Sequence, residues 1–264
     1  MLNLRIPITV ATIRILKTYL LRALPEVKSS HRVEAIARGL GSLTFAAMRH
    51  AGKAGEQLSA PADGTRFASY LGEHGFVADP IHFYRAVASV AVTAIVEKVP
   101  KLSTFGYGFG QPRWNFEAKR WDSPQETYAK FMEARADFLF SGVLDEFLLA
   151  LAFVQRIPTT KTVRSGVGSY RLKHIAENMP FVCHDGTVLG PRYVANGVLI
   201  AAALHSGFRM KTYVDHLGYD AINVSFNMSK RAVDDLDCET RPDGAMAQKR
   251  ASLTERRNNR WLYA

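Results

Sequence analysis

Cysteine is scarce in this chain of 264 residues, which holds only Cys183 and Cys238. Two thiols cannot build the disulfide framework on which small secreted domains depend, and a chain of this length needs none. A reducing cytoplasm is the expected compartment. Long hydrophobic runs are also missing, since no stretch reaches the ~18 uncharged apolar residues of a spanning helix, so no membrane partner is expected. The first 25 residues lack any acid and carry Arg5, Arg14, Lys17 and Arg22. Arg14 and Lys17 interrupt the apolar run and no small-residue cleavage site follows, so this segment reads as a helix of the fold rather than a secretory leader. Metal-ligand spacings are absent too. Without a Cys-x-x-Cys or His-x-x-x-His pair, Cys183-His184-Asp185 with distant His174, His205 or His216 makes no credible metal site. No metal and no cofactor is expected.

What is present fits a globular chain: 47% hydrophobic and 22% charged residues, enough for one large domain or a body with a small appendage. Its distinctive bulk property is charge, with 34 Lys and Arg against 24 Asp and Glu, a net of +10. Residues 1–60 hold nine cations and three acids, residues 241–264 six and two, and the 180 residues between them 19 of each sign. The whole excess therefore sits at the two ends.

The pattern predicts a mainly α fold with a minor β component. Ile13, Leu16, Leu20, Leu21 and Leu24 recur at helical spacing until Pro25. Ser29 and Ser30 are candidate caps for a second helix with Val33, Ile36, Ala37 and Leu40 as its stripe, and Thr44 to about Lys53 reads as a third. These form a small basic three-helix unit over 1–55, followed by a Gly- and Pro-rich linker over 52–64. A neutral helical body is expected over 65–240. Within it, Pro80 opens a long helix to Val99, Ser123-Pro124-Gln125-Glu126 matches a capping box, and Pro158 closes an apolar helix that begins at Val143. Ser169 to Met179 and Val194 to His205 read as further helices, and Leu102–Phe109, Phe208–Val214 and Ala221–Phe226 as strand candidates. Residues 241–264 read as a basic, flexible tail.

Two segments invite functional readings. Glu34 to Met48 has the layout of a helix-turn-helix, with small Ala37 at a helix crossing and Gly41 supplying a left-handed turn residue. Its second helix would enter a major groove while Arg32, Arg38, Thr44, Arg49 and Lys53, with Lys249, Arg250, Arg256, Arg257 and Arg260 from the tail, contact nucleic acid. Against this, Ser42 and His50 stand where such a motif buries apolar residues, and the same residues also suit a helical packing unit with a basic rim. The second segment is Arg164-Ser-Gly-Val-Gly-Ser169 before a helix. Here Gly166, Gly168 and Ser169 would free amides for an anion, with Arg164, Lys173 and His174 as its charged partners. Tyr170, Lys173, His174 and Glu177 share one helical face, and the alternative is an amphipathic helix with a solvated side. Arg192 and Asn196 join the same cavity only if their helix packs beside it. Phe105, Tyr107 and Phe109, near Trp114, Arg113, Lys119 and Arg120, suit base stacking or core packing.

Segments 29–41, 67–76, 168–177 and 193–203 resemble a family of uncharacterised open reading frames of proteobacterial plasmids and integrative elements. That resemblance implies a small accessory protein of a mobile element and no catalytic residues. The expected function is non-enzymatic nucleic-acid binding, DNA before RNA, with a host or element-encoded protein as a further partner. The alternatives are a nucleotide- or phosphate-binding enzyme built on the 164–174 segment, and an anti-defence protein that binds a host nuclease complex.

Overall fold

The computed structural model describes residues 2–54 and 61–261, with eleven α-helices and four two-stranded antiparallel sheets among them. Before the first helix, residues 2–8 alternate strictly between buried and exposed. Leu2, Leu4, Ile6 and Ile8 all enter the core. This is the period-2 burial of an extended strand, and it binds the chain's beginning to distant parts. Ala62 donates to the Leu4 carbonyl at 2.8 Å, and Asn3 exchanges two hydrogen bonds with the Gln155 side chain.

Helix α1 (Val10–Ala23) starts from a Thr9 capping box completed by Thr12, and buries Ile13, Leu16 and Leu20 while Leu21 stays exposed. Helix α2 (Ser29–Gly39) begins at Ser29 itself, so neither serine caps it; Lys28 takes that position with no side-chain bond. Its end follows expectation. Gly41 adopts φ 77° and the Ser42 amide returns to the Ala37 carbonyl at 2.8 Å, a Schellman closure. Helix α3 (Phe45–Ala54) follows, capped by the Thr44 hydroxyl on Ala47 N–H and by the Glu34 carboxylate on Phe45 N–H. Next come α4 (Gly64–Glu73) and the long α5 (Ile81–Lys98).

Two hairpins lead into the second half: β1 (Leu102–Ser103) with β2 (Gly106–Tyr107), and β3 (Trp114–Asn115) with β4 (Arg120–Trp121). The Ser123 capping box then opens α6 (Pro124–Ala136) as its spacing predicts, and a 3₁₀ turn at 137–139 joins it to α7 (Ser141–Val154). Helix α8 (Ser169–Ala176) precedes the pair β5 (Phe181–Val182) and β6 (Val188–Gly190). Helix α9 (Asn196–His205) leads to β7 (Met210–Lys211), which pairs with β8 (Ser225–Phe226), as the two C-terminal strand candidates suggest. Helices α10 (Lys230–Thr240) and α11 (Ala245–Trp261) finish the described chain. Residues 245–261, read above as a flexible tail, are therefore helical; Ala, Met, Gln, Lys, Arg, Leu and Glu are strong helix formers even where no apolar stripe marks them.

Helices α7 and α9 are buried almost all round and pack on each other and on α5. That fits their nearly uninterrupted apolar sequences. Helix α1 packs on α5 and α2 on α4, so the first helices and the body share one hydrophobic cluster from Leu2 to Leu236. Phe83 of α5 stacks on Phe67 of α4 with centroids 4.8 Å apart, and its ring lies where a Cβ on Gly39 would stand, 2.5 Å from that point. No helix among the described residues is long and apolar enough to cross a membrane.

Candidate functional site

The basic N-terminal residues divide between two faces and the interior. Arg14 and Lys17, three residues apart on α1, face Arg49 and Lys53 of α3 across a groove of about 520 Å³ whose floor reaches Val33 of α2. All four cations are exposed, and no acidic residue lines the groove among the described residues. Phe45 forms part of its wall, with the Lys17 ammonium 5.8 Å from the ring centroid. The sequence argument selected Arg49 and Lys53 but passed over Arg14 and Lys17. Their i, i+3 spacing on one helical face was the available signal.

Other residues chosen for nucleic acid are placed differently. Arg32 is 8% exposed and its guanidinium donates to the Leu24 carbonyl at 2.9 Å and to that of Val27. It closes the end of α1; although it lies in the lining of the same groove, its guanidinium is engaged by these carbonyls and little of it is exposed. Arg38 opens on another face, beside Arg66 and Glu73. The Thr44 hydroxyl is spent as a cap. On α11, Lys249 is exposed, whereas Arg250 pairs with Asp235 of α10 at 2.7 Å. The side chains of Arg256, Arg257 and Arg260 lie outside the described residues.

The second segment gathers as its spacing suggests, but not around an anion. Gly168 is extended, with φ −90° and ψ 148°, and neither Gly166 nor Gly168 has the positive φ that an anion-cradling nest requires. The Ser169 amide donates to the Val224 carbonyl at 2.8 Å and its hydroxyl accepts from Val224 N–H at 3.2 Å. The Arg164 amide likewise donates to Phe226, leaving its exposed side chain outside this register. The loop is thus a clamp on residues 224–226. Farther along α8, Glu177 accepts from Lys173 Nζ at 2.8 Å and approaches His174 Nδ1 at 2.7 Å. Burial alone would raise the Glu177 carboxyl, but these bonds outweigh it and hold the group below its ordinary value.

No family model, curated protein or solved structure matches the chain.

Chemistry in this region therefore rests on the geometry alone. Tyr170 meets His174 edge to face at 4.6 Å, and the Lys173 ammonium sits 4.7 Å from the Tyr193 centroid. Arg192 turns away and, with Arg85, pairs with buried Asp145 at 2.7 Å. Asn196 does reach the cleft that Lys173 and Tyr193 line. Glu146 shares that cleft; burial raises its carboxyl above the ordinary range although it accepts the Ala195 amide at 2.8 Å. Cys183 is buried, which pushes its thiol up to about 12 and leaves it a poor nucleophile. Among the described residues no group of three His, Cys, Asp or Glu is placed to hold a metal ion. Of the aromatic alternation, Phe105 and Phe109 are exposed, while Tyr107 packs against the core; Trp114 is exposed too and meets Trp121 edge to face at 5.8 Å.

Proposed function

We propose that this protein binds nucleic acid through the groove between α1 and α3, neutralising phosphates without reading bases. One observation carries the reading: Arg14, Lys17, Arg49 and Lys53 converge on a single concave surface that no acid lines among the described residues. Four cations on one surface can each neutralise a phosphate of a sugar-phosphate backbone, and release of condensed counterions supplies the affinity. The Glu34 carboxylate at the start of α3 speaks against base reading by that helix, because it sets a negative charge where a recognition helix approaches the duplex. The accessory role implied by the family resemblance asks for no catalysis, and neither does this groove.

Fluorescence anisotropy of a short labelled DNA duplex over a salt series tests the proposal. Four phosphate contacts give log K against log salt a slope of about −3.6. Arg14→Ala and Arg49→Ala are each expected to flatten that slope by about 1. A slope unaffected by both substitutions would overturn it. The same assay on RNA of equal length is expected to give weaker binding, and stronger binding would reassign the ligand.

A further inference from the structure

The cleft between the 3₁₀ turn, α7, α8 and α9 has features that the basic groove does not explain. Its volume is about 510 Å³, within the range of small-molecule sites. Phe105, Phe140, Tyr170 and Tyr193 line it and are each more than half exposed, at 55%, 63%, 54% and 64%. Of the four rings around this concavity, Tyr170 and Tyr193 have the Lys173 ammonium beside them, Tyr170 also meets His174, and Phe105 has the Arg113 guanidinium 5.4 Å from its centroid, while Phe140 has no ring or cation partner among the described residues.

Its floor contains an unmet hydrogen-bond demand. Asn196 is 6% exposed, and its Nδ2 donates to the Ile222 carbonyl at 2.9 Å, to Asn223 Oδ1 at 3.2 Å and toward the Phe105 carbonyl at 3.4 Å. Three acceptors around one nitrogen fix which way the amide points. The Asn196 Oδ1 is left with no donor, and it is shielded from bulk water. Asn196 lines the cleft, so a donor seated there reaches that oxygen once the side chains shielding it give way. Buried acceptors are rarely left empty in folded proteins, and one beside a cavity calls for an explanation.

Charge narrows the ligand further. Lys173 is already neutralised by Glu177, while Asp137 and Glu146 stand in the lining, so a phosphate or carboxylate would meet two acids and no free cation. A compact cation is disfavoured for the opposite reason, because the Lys173 ammonium already lies against Tyr193 and Tyr170. What remains is an uncharged flat ring with an N–H donor on its edge. We infer that this cleft binds a neutral amino-bearing heterocycle of the nucleobase class, stacked on the exposed rings with its amino group on Asn196 Oδ1. The chemistry is the same whether the base arrives as a free nucleoside or as an unpaired base of a single strand. It does not depend on the basic groove.

Calorimetric titration of the full chain tests the inference with adenosine against its 6-dimethylamino analogue, and cytidine against its 4-dimethylamino analogue. Within each pair both amino hydrogens are exchanged for methyl groups, so the flat ring stays and its edge donor is lost. The amino member is expected to bind at least about tenfold tighter, because the dimethylated ring leaves the buried acceptor unpaired. Adenosine monophosphate is expected to bind more weakly than adenosine. Tyr193→Ala and Phe140→Ala remove exposed rings that the core does not need, and each should weaken adenosine by about tenfold. Oligonucleotides of deoxyadenosine and of thymidine, titrated into the Arg14→Ala/Arg49→Ala protein, separate the two sources. Preference for the adenine strand with no response to the nucleosides assigns the site to a strand, and the reverse to a metabolite. Equal affinity within each nucleoside pair together with no strand preference overturns the inference, as does adenosine binding that survives loss of both rings.

Discussion

Removing the Arg32 guanidinium strips the donor from the carbonyls of Leu24 and Val27 at the end of α1. A charged hydrogen bond of this kind contributes about 2 kcal/mol, and the buried carbonyls left behind have no water to turn to. Arg32→Met is therefore expected to lower unfolding free energy by about that amount in urea, with the salt slope of DNA binding unchanged for the folded fraction. Arg49→Ala should do the reverse. Arg49 is exposed and forms no ion pair with another described residue, so its loss is expected to flatten the slope and spare stability. If Arg32→Met flattened the slope at constant stability, the assignment of Arg32 to the fold would fail. Lys173 belongs with Arg32 as a cation whose burial and partner decide its work.

Among the elements, α9 shows how a single missing methyl group sets a packing distance. A Cβ on Gly197 would lie 1.7 Å from the Ser103 carbonyl oxygen, and the Gly197 amide donates to Thr104 at 2.9 Å. The start of α9 thus rests directly on the hairpin of β1 and β2, which positions Asn196 and Phe105 around one cleft. Gly197→Ala must push backbone from backbone, and a loss of about 3 kcal/mol or more is expected in chemical denaturation. A loss below about 1 kcal/mol would show that the hairpin yields freely. Local signals of this sort account for what was legible in the sequence. The Ser123 capping box, the Gly41 turn, the apolar α7 and α9 and the shared face of Lys173, His174 and Glu177 all depend on neighbours within a few residues. Partners distant in sequence were not legible. Nothing in the spacing tells that Arg192 turns to Asp145 while Asn196 turns to Ile222, or that Ser169 is fastened to Val224. The extended 2–8 segment escaped for a related reason: its alternation is clear only once Ala62 and Gln155 are seen to meet it.

Across the whole molecule, charge is arranged so that acid acts on several helices together. Burial would raise the Asp145 carboxyl, but hydrogen bonds from Arg85 and Arg192 outweigh it and hold the group below its ordinary 3.8. Asp234 follows the same pattern through Lys230 and Arg171, and Glu177 through Lys173 and His174. A carboxyl lowered in the fold stabilises it fully above its ordinary value, and that contribution drains away as pH falls through the folded one. Burial lowers His205 from 6.5, so it too favours the fold above that pH and begins to oppose it below. Glu146 runs the other way: burial raises it above 4.5, so it favours the fold below that pH and costs stability as pH climbs past it. Glu126 and Glu239 are lowered too, by Arg120 and Arg156, so five carboxyls and His205 outnumber Glu146, and melting temperature is expected to dip gently below about pH 6.5 and steeply below about pH 4. Asp145→Asn leaves two guanidinium groups facing a neutral amide, which is expected to cost about 3 kcal/mol near pH 7. Because the substituted protein has already lost what acid would remove, its melting curve should approach that of the native chain as pH falls from about 5 to about 3. Parallel curves over that range would show that Asp145 does not anchor α5 and α7 through its charge.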